Sequence, residues 1–512
     1  MLLFNGHFNS GITSAHWQIL CYFAFYFPNF QSMKTKNFSS ILRLLPALAM
    51  LIPVIIHAQD GQMIKRLAGS WSGTLKVQST ELRLVMNVSF NAADSMIVTF
   101  DSPDQGARDL PTSKVRVVND SIFVSAKSIG GKFTGKISEG FTSIPGSWKQ
   151  SGMSFPLTLE RLEKRITVNR PQEPKPPFPY RSEEVSFPNV PGGFDLAGTL
   201  TMPEKEGRYP AAILITGSGP QNRNEELLGH KPFLVLADWL TRQGFAVLRY
   251  DDRGVAKSKG DFKTATSIDF ATDAESALNF LKKHTEIDSS KIGFIGHSEG
   301  GLIAPIVASR RSDVAFIVLM AGPGLKGEQI LLLQSALISK AEGSDEKTIK
   351  ANDKLSRDMY SVLKKNSDNT KAITKLKILI RDFDKKNAKD TSYHPMSEQE
   401  LNAQVESLTS PWFRCFLTLN PQDYISGVHC PILAINGSLD LQVPPKENLE
   451  AVEKALIFGG NSVYMIEELQ GLNHLFQTAT TGSPTEYSKI EETISPAALE
   501  LIGKWLQKNV AR

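Results

Sequence analysis

The sequence is poor in cysteine and carries little excess charge of either sign. It has 3 cysteines in 512 residues, and their positions match no zinc-site spacing. Its net charge is only +4, and Lys34, Lys36 and Arg43 contribute three of those charges within the first 58 residues, which contain no acid. Nothing in this near-balance suggests a nucleic-acid partner, and none is expected.

Long apolar runs are also missing from the sequence. The apolar run Leu44–Ile56 has thirteen residues and ends shortly before Ala58. It follows a basic head that begins at Met33. Thirteen residues fall short of the roughly 18 that span a bilayer. Residues 33–58 are therefore interpreted as an export signal cleaved after Ala58, within an N-terminal segment of residues 1–58. We expect an exported protein, periplasmic or secreted, with no membrane span once the signal is removed.

Export would allow Cys415 and Cys430 to form a disulfide, although two separate thiols fit the sequence equally well.

Residues 62–165 alternate apolar and polar side chains with a period of two. Segments such as WSGTLKV (71–77), LRLVMNVSF (82–90) and GKFTGKI (131–137) are separated by turn residues. The pattern predicts a small antiparallel β domain, either a curled sheet or a barrel. Trp71 near its start is interpreted as a core residue, and a ligand-holding barrel is the alternative.

A proline-rich segment follows this domain. Residues 170–182 contain five prolines in thirteen residues, which leaves too few backbone donors for a helix or strand interior. We therefore predict a stiff linker over residues 166–182 and a domain boundary within it.

Strand-like apolar runs alternate with helical patterns through residues 183–512. The runs are AAILITG (211–217), FAVLRYD (245–251), KIGFIGH (291–297), AFIVLMAG (315–322), PILAING (431–437) and SVYMIEEL (462–469). The alternation predicts a mostly parallel sheet covered by helices on both faces. About a hundred residues, 325–428, show helical patterns without a strand and are predicted to form a cap.

A candidate nucleophile lies where one of these strands meets a helix. Ser298 stands within Gly296-His297-Ser298-Glu299-Gly300, between KIGFIGH and the helical pattern EGGLIAPIVASR. A G-x-S-x-G sequence between a strand and a helix is typical of a sharp turn that exposes a nucleophilic serine.

Two further residues complete a predicted catalytic triad. A serine nucleophile needs a base and an orienting acid, which follow it along the chain in the order Ser, acid, His. Asp440 comes directly after PILAING, and His474 comes directly after SVYMIEEL. A turn aspartate and a structural histidine are the alternatives, but both residues match the required order at once.

The oxyanion of an acyl-transfer intermediate needs two hydrogen-bond donors. The backbone N–H groups of Glu299 and Ser218 are the candidates, the latter from the loop after AAILITG. Asp252 and Arg253, in the run RYDDRG, are interpreted instead as an ion pair that fixes a turn.

The stretches ITGSGPQNRNE, LRYDDRGVAKSKG, GHSEGG, INGSLDLQVP and GLNHLF resemble the α/β-hydrolase superfamily, and specifically a bacterial carboxylesterase-like branch close to serine aminopeptidase-type hydrolases. The resemblance implies an α/β-hydrolase fold with Ser298, Asp440 and His474 as its triad. Thr216-Gly217 replaces the usual His-Gly before the oxyanion loop, as this branch tolerates. Residues 62–165 resemble extra N-terminal β domains of some such esterases.

The function expected from these observations is hydrolysis of carboxylic esters through an acyl-enzyme. It needs a small-molecule ester and no metal or organic cofactor. A serine aminopeptidase or acyl-peptide hydrolase is the nearest alternative. A lipid- or glycan-binding protein with a vestigial hydrolase fold is an alternative of another class.

Overall fold

A computed structural model describes residues 64–511 except 78–79, 92–93, 104–106, 127–128, 151–152, 164–168, 390–392 and 394. The described residues form two compact units that divide within residues 164–168. The predicted export signal, residues 33–58, lies outside the described residues. No described helix is long and apolar enough to cross a membrane.

The first unit is a nine-stranded antiparallel sheet in the order β4-β3-β2-β1-β9-β8-β7-β6-β5. Its strands are β1 (Gly69–Val77), β2 (Thr80–Phe90), β3 (Met96–Ser102), β4 (Ala107–Pro111), β5 (Lys114–Val118), β6 (Ser121–Ala126), β7 (Gly131–Lys136), β8 (Ser143–Gln150) and β9 (Met153–Leu162). Strands β3 and β5 stand near opposite ends of this order and yet contact each other, so the sheet curls on itself. The predicted antiparallel β domain is therefore confirmed.

Large aromatic side chains fill the concave side of this sheet. Trp71, Trp148, Phe100 and Phe133 are fully buried there. The Trp71 indole N–H donates to the Leu67 carbonyl at 2.9 Å, which satisfies the polar atom of this side chain. Trp71 is thus a core residue, as interpreted from the sequence.

The second unit contains an eight-stranded sheet in the order β10-β11-β13-β12-β14-β15-β16-β17. Its strands are β10 (Arg181–Asn189), β11 (Phe194–Met202), β12 (Tyr209–Ile215), β13 (Ala246–Tyr250), β14 (Ile287–His297), β15 (Ile317–Met320), β16 (Ile432–Gly437) and β17 (Tyr464–Leu469). Strand β11 runs antiparallel to its neighbours β10 and β13, and all the remaining pairs are parallel. The carboxyl ends of the parallel strands therefore meet at one edge of the sheet.

Helices cover both faces of this sheet. They are α1 (Pro232–Arg242), α2 (Ser267–Leu281), α3 (Glu299–Ala308), α4 (Gly327–Ala341), α5 (Glu346–Lys365), α6 (Asn369–Asn387), α7 (Glu398–Leu408), α8 (Pro411–Thr418), α9 (Gln422–Ile425), α10 (Pro445–Phe458) and α11 (Pro496–Asn509). Helices α1 and α11 pack on one face, and α2, α3 and α10 pack on the other. Helices α4 to α9 form the cap between β15 and β16, and the described residues of this interval contain no strand.

Side-chain hydrogen bonds hold the proline-rich segment against the second unit. Arg170 donates from its guanidinium to the carbonyl oxygens of Gly229, Ser488 and Ile490, at 3.1, 3.1 and 2.6 Å respectively. Gln172 adds hydrogen bonds to the backbone at residues 493–494. Side chains thus fix a segment whose prolines keep it out of helices and strands.

Candidate active site

Ser298 occupies a sharp turn between β14 and α3. Its backbone has φ +52° and ψ −117°, a conformation that non-glycine residues rarely adopt. Two glycines leave the space that this turn needs. A Cβ at Gly296 would lie 2.0 Å from the Gly300 carbonyl oxygen, and one at Gly300 would lie 2.1 Å from that of Ile215. The G-x-S-x-G sequence therefore forms the strained turn that presents a serine at the sheet edge.

Asp440 and His474 form a buried hydrogen-bonded pair. His474 Nδ1 lies 2.8 Å from Asp440 Oδ2, and the two side chains are 5% and 0% exposed. The other carboxylate oxygen of Asp440 accepts the backbone N–H groups of Gln442 and Val443, each at 2.8 Å. The carboxylate is thus held by its own loop and in turn orients the His474 ring, as an orienting acid must.

The paired histidine lies beside the serine turn. The His474 ring is 4.9 Å, centroid to centroid, from the ring of His297, the residue before Ser298. Among the contacts of the described residues, Ser298 Oγ makes no hydrogen bond to His474. Catalytic hydrogen bonds are often long until substrate binds. The structure therefore brings the three predicted residues to one place without closing the Ser-His contact.

The loop after β12 runs past Ser298. A Cβ on Gly217 would lie 3.2 Å from the Ser298 Cβ, so the loop backbone is close to Ser298. The Gly217 N–H is already used, because it donates to Glu225 Oε1 at 2.7 Å. The Ser218 N–H makes no hydrogen bond within the described chain. Ser218 is therefore better suited than Gly217 to donate to an oxyanion.

Glu299 provides the second candidate donor. It is the first residue of α3, and the first N–H groups of a helix have no partner within the helix. Glu299 directly follows Ser298, and Ser218 directly follows Gly217, at which a Cβ would lie 3.2 Å from the Ser298 Cβ, so both N–H groups lie near the Ser298 turn.

Buried carboxylates fix the backbone of the loop between β12 and α1, residues 216–231, which is called the oxyanion loop below. Arg223 is ion-paired with Asp251, with 2.7 Å between Nη2 and Oδ2. Asp252 accepts the Thr216 hydroxyl at 2.8 Å and the Gln221 N–H at 2.9 Å. Burial raises the pKa of the Asp252 carboxyl well above its usual value. Asp251 and Asp252, the two residues that follow β13, thus hold this loop through hydrogen bonds and an ion pair.

The predicted ion pair between Asp252 and Arg253 is wrong. Arg253 pairs with Asp273 of α2, at 2.7 Å between Nε and Oδ2, because the turn directs its guanidinium toward that helix. Asp252 points the other way, into the oxyanion loop, where its partners are neutral donors. The expectation that these residues have a structural role agrees with the contacts they make.

The Glu299 side chain joins the nucleophile turn to the cap. Its Oε1 accepts the Ser267 hydroxyl at 2.6 Å and the Trp412 indole N–H, from cap helix α8, at 2.8 Å. Burial raises the pKa of the Glu299 carboxyl above its usual value, and its interactions with the Ser267, Trp412 and Ser218 side chains oppose the rise. No local pattern in the sequence indicates this junction, since its four members are far apart along the chain.

The two cysteines of the second unit are not paired with each other. Cys415 and Cys430 are both free thiols, so the disulfide alternative is not realised in this structure. Within the described ranges, no group of three His, Cys, Asp or Glu side chains is arranged to hold a metal ion.

The sheet order, the strained serine turn and the cap between β15 and β16 define the class of this protein. Its second unit has an α/β-hydrolase fold, and an antiparallel β domain precedes it. Residues 231–381 match the family model described as serine aminopeptidase, S33, and this range includes Ser298.

Two curated relatives align with part of the chain. Esterase EstD of Thermotoga maritima is 30% identical over 136 residues, which cover 27% of this chain and 32% of EstD. The uncharacterised protein YfhR of Escherichia coli O157:H7 is 28% identical over 145 residues, which cover 28% of this chain and 48% of YfhR. The chain thus spans between about a third and a half of the length of these relatives.

Among solved structures, the Pyrococcus furiosus esterase Pf2001 aligns over 67% of this chain and 99% of its own. Its sequence identity is 17% and its TM-score is 0.41, which is too distant a likeness to bear on activity.

Proposed function

We propose that this protein is a serine hydrolase that cleaves carboxylic esters through an acyl-enzyme. The observation that carries the proposal is the buried His474–Asp440 hydrogen bond of 2.8 Å beside the strained Ser298 turn. Ser298 is the nucleophile, His474 the general base and acid, and Asp440 the residue that orients His474. The backbone N–H groups of Ser218 and Glu299 form the oxyanion hole.

The reaction has two half-steps. His474 takes the Ser298 hydroxyl proton while Oγ attacks the ester carbonyl, and the oxyanion accepts the two N–H groups. His474 then gives its proton to the departing alcohol, which leaves an acyl group on Ser298. Water, deprotonated by His474, attacks this acyl group and releases the acid, and Ser298 recovers its proton.

An ester is favoured over a peptide by the state of Glu299. An aminopeptidase must hold the substrate ammonium group, and a carboxylate next to the nucleophile would suit that role. The Glu299 carboxylate instead accepts hydrogen bonds from the Ser267 and Trp412 side chains and is only 2% exposed. The named relative EstD is an esterase, which supports the same choice.

Serine aminopeptidase or acyl-peptide hydrolase activity is the second candidate. It is favoured by the description of the family whose model matches residues 231–381. A binding protein with a vestigial hydrolase fold is the third candidate, and the paired His474 and Asp440 argue against it, since a binding role needs no such pair.

The test compares hydrolysis of a short-chain aryl ester with that of amino-acid anilides by the wild type, Ser298→Ala and Ser290→Ala. Ser290 is an exposed serine near the other end of β14 and serves as the matched control. We expect the wild type to prefer the ester, Ser298→Ala to lose at least about 10⁴-fold in kcat, and Ser290→Ala to retain it. A folded Ser298→Ala protein with wild-type turnover would contradict the proposal, and a preference for anilides would favour the peptidase.

Export to the periplasm or beyond stays a prediction from residues 33–58. The basic head, the apolar run and Ala58 support it. The same applies to a small-molecule ester as the partner.

A further inference from the structure

The histidine before the nucleophile is buried and makes two hydrogen bonds. His297 ends β14 and is 6% exposed. Its Nδ1 lies 2.9 Å from Glu225 Oε1, and its Nε2 lies 3.0 Å from the backbone carbonyl oxygen of His474. One side chain thus connects the oxyanion loop, which carries Glu225, with the loop that carries the catalytic base.

The partners of His297 decide how many protons its ring holds. A carbonyl oxygen only accepts hydrogen bonds, so the bond to the His474 carbonyl requires a proton on Nε2. Glu225 Oε1 already accepts the Gly217 N–H at 2.7 Å. An ionised carboxylate accepts only, so the bond from Nδ1 requires a second proton on the ring. Both requirements are met together when His297 is an imidazolium and Glu225 a carboxylate.

The surroundings of His297 favour that charge state. Burial alone lowers the pKa of His297, but the charge of Glu225 and the bonds to Glu225 and to the His474 carbonyl outweigh it, so the pKa lies above its usual value. The charge of Asp440 acts in the same direction. The His474 ring is a further titratable neighbour, 4.9 Å away between ring centroids.

The Glu225 backbone is also bent toward this role. It has φ +52°, in the left-handed region that costs a residue with a side chain about 1 kcal/mol or more. The turn brings the carboxylate back onto the Gly217 N–H of its own loop, and Glu225 is only 3% exposed. A strained backbone conformation of this kind persists only where the surrounding contacts hold the residue in place.

We propose that Glu225 and His297 form a buried ion pair that positions the oxyanion loop and the His474 loop relative to Ser298. Glu225 fixes the loop by accepting the Gly217 N–H, which leaves the next N–H, that of Ser218, for the oxyanion. His297 holds the carbonyl of His474. Both are positioning residues, since neither needs to touch the substrate. Their catalytic consequence rests on the proposed function, whereas their charge state does not.

The charge state is tested by nitrogen-15 NMR of the full chain with labelled histidine at pH 8. Ordinary histidines, with a pKa of about 6.5, are neutral there. We expect one doubly protonated imidazole, identified as His297 by its absence in His297→Gln and converted to a neutral ring in Glu225→Gln. His230, buried and with a pKa lowered to about 4, provides a neutral reference in the same spectrum. A neutral His297 in the wild type would overturn the ion pair.

The positioning role is tested by kinetics on the aryl ester. Removing one oxyanion donor costs about 10²–10³ in kcat, so loosening one should cost less, about 10- to 100-fold. We expect this loss in Glu225→Gln and in His297→Gln with KM changed by less than about threefold. The double variant should lose no more than either single one, because the pair acts as a unit. Glu286→Gln, which breaks the pair with Arg181 just before the start of β14, at the opposite end of that strand from His297, is the matched control and should retain kcat.

The outcomes separate the two proposals. Wild-type kcat in either single variant, or losses that multiply in the double variant, would overturn the positioning role. A doubly protonated His297 in a protein that hydrolyses neither esters nor anilides would leave the ion pair standing and reject the proposed function. If Glu225→Gln fails to fold, the wild-type spectrum and His297→Gln still decide the matter.

Discussion

The residues proposed for catalysis are held through atoms that do not react. Asp440 uses one carboxylate oxygen for two backbone N–H groups and the other for His474. His474 uses Nδ1 for that bond, which leaves Nε2 for proton transfer. Ser298 is held by its backbone alone, whose N–H donates to the Met320 carbonyl at 2.8 Å. The reacting atoms are thus positioned without being consumed by structural bonds.

Glu299 shows how a residue next to Ser298 can act through others. We predict that Glu299→Leu lowers kcat on the aryl ester by about 10-fold, because it leaves the Ser267 hydroxyl and the Trp412 indole N–H without their acceptor beside the Ser298 turn. Turnover is measured beside Glu467→Leu, which replaces an exposed glutamate on β17 and should retain wild-type kcat. Wild-type kcat in Glu299→Leu would show that this junction does not support the oxyanion loop.

At the residue scale, the sequence predicts those site residues that follow a strand in the expected chain order. Ser298, Asp440 and His474 each come directly after an apolar run that forms a strand, and chain order assigned their roles. The roles of Glu225 and Glu299 depend on contacts between distant segments, such as the bond between Glu225 and His297, 72 residues apart. Local patterns contain no information on such contacts.

At the scale of elements, the period of the sequence predicts most strands and fails where turn residues interrupt it. Strand β8 does not show the period of two, because Pro145 and Gly146 stand in its middle, and the ARDLP sequence of β4 does not alternate either. No local pattern indicates that the pair β10 and β11 begins the second sheet with antiparallel strands. The six apolar runs predicted to be strands form β12 to β17, and the interval predicted to be a cap is helical, since long apolar runs and a strand-free interval are strong signals.

Loops around the site are joined by a second buried histidine. His230 Nδ1 lies 3.0 Å from the Thr493 hydroxyl oxygen, and its Nε2 lies 2.9 Å from the Tyr487 carbonyl oxygen. Burial, together with the charge of Arg170, lowers the pKa of His230 to about 4. The neutral ring therefore connects the end of the oxyanion loop with the segment that precedes α11.

This histidine predicts a pH dependence of stability. Its pKa falls from about 6.5 unfolded to about 4 folded, so its contribution is complete above pH 6.5 and is lost as the pH falls toward 4. We expect the free energy of unfolding of the second unit to decrease by about 2 kcal/mol between pH 7 and pH 5 through this residue. Urea unfolding of the wild type and His230→Gln at both pH values measures it. Equal pH dependence in the two proteins would contradict the prediction.

At the scale of the whole molecule, the two units differ in whether they contain residues proposed for catalysis. All the residues proposed for catalysis lie in the second unit, and the family match covers residues 231–381 of it. The first unit has an interior filled by its own aromatic side chains. The account of catalysis therefore rests on the second unit alone.

The most direct test of the central claim is covalent labelling of the full chain with a fluorophosphonate, followed by mass spectrometry of its peptides. A fluorophosphonate forms a stable bond only with a serine that is activated by a base and faces an oxyanion hole. We predict a single adduct on Ser298, absent in Ser298→Ala and present in Ser290→Ala. Ester hydrolysis at the wild-type rate by a protein that carries no adduct on Ser298 would contradict the account.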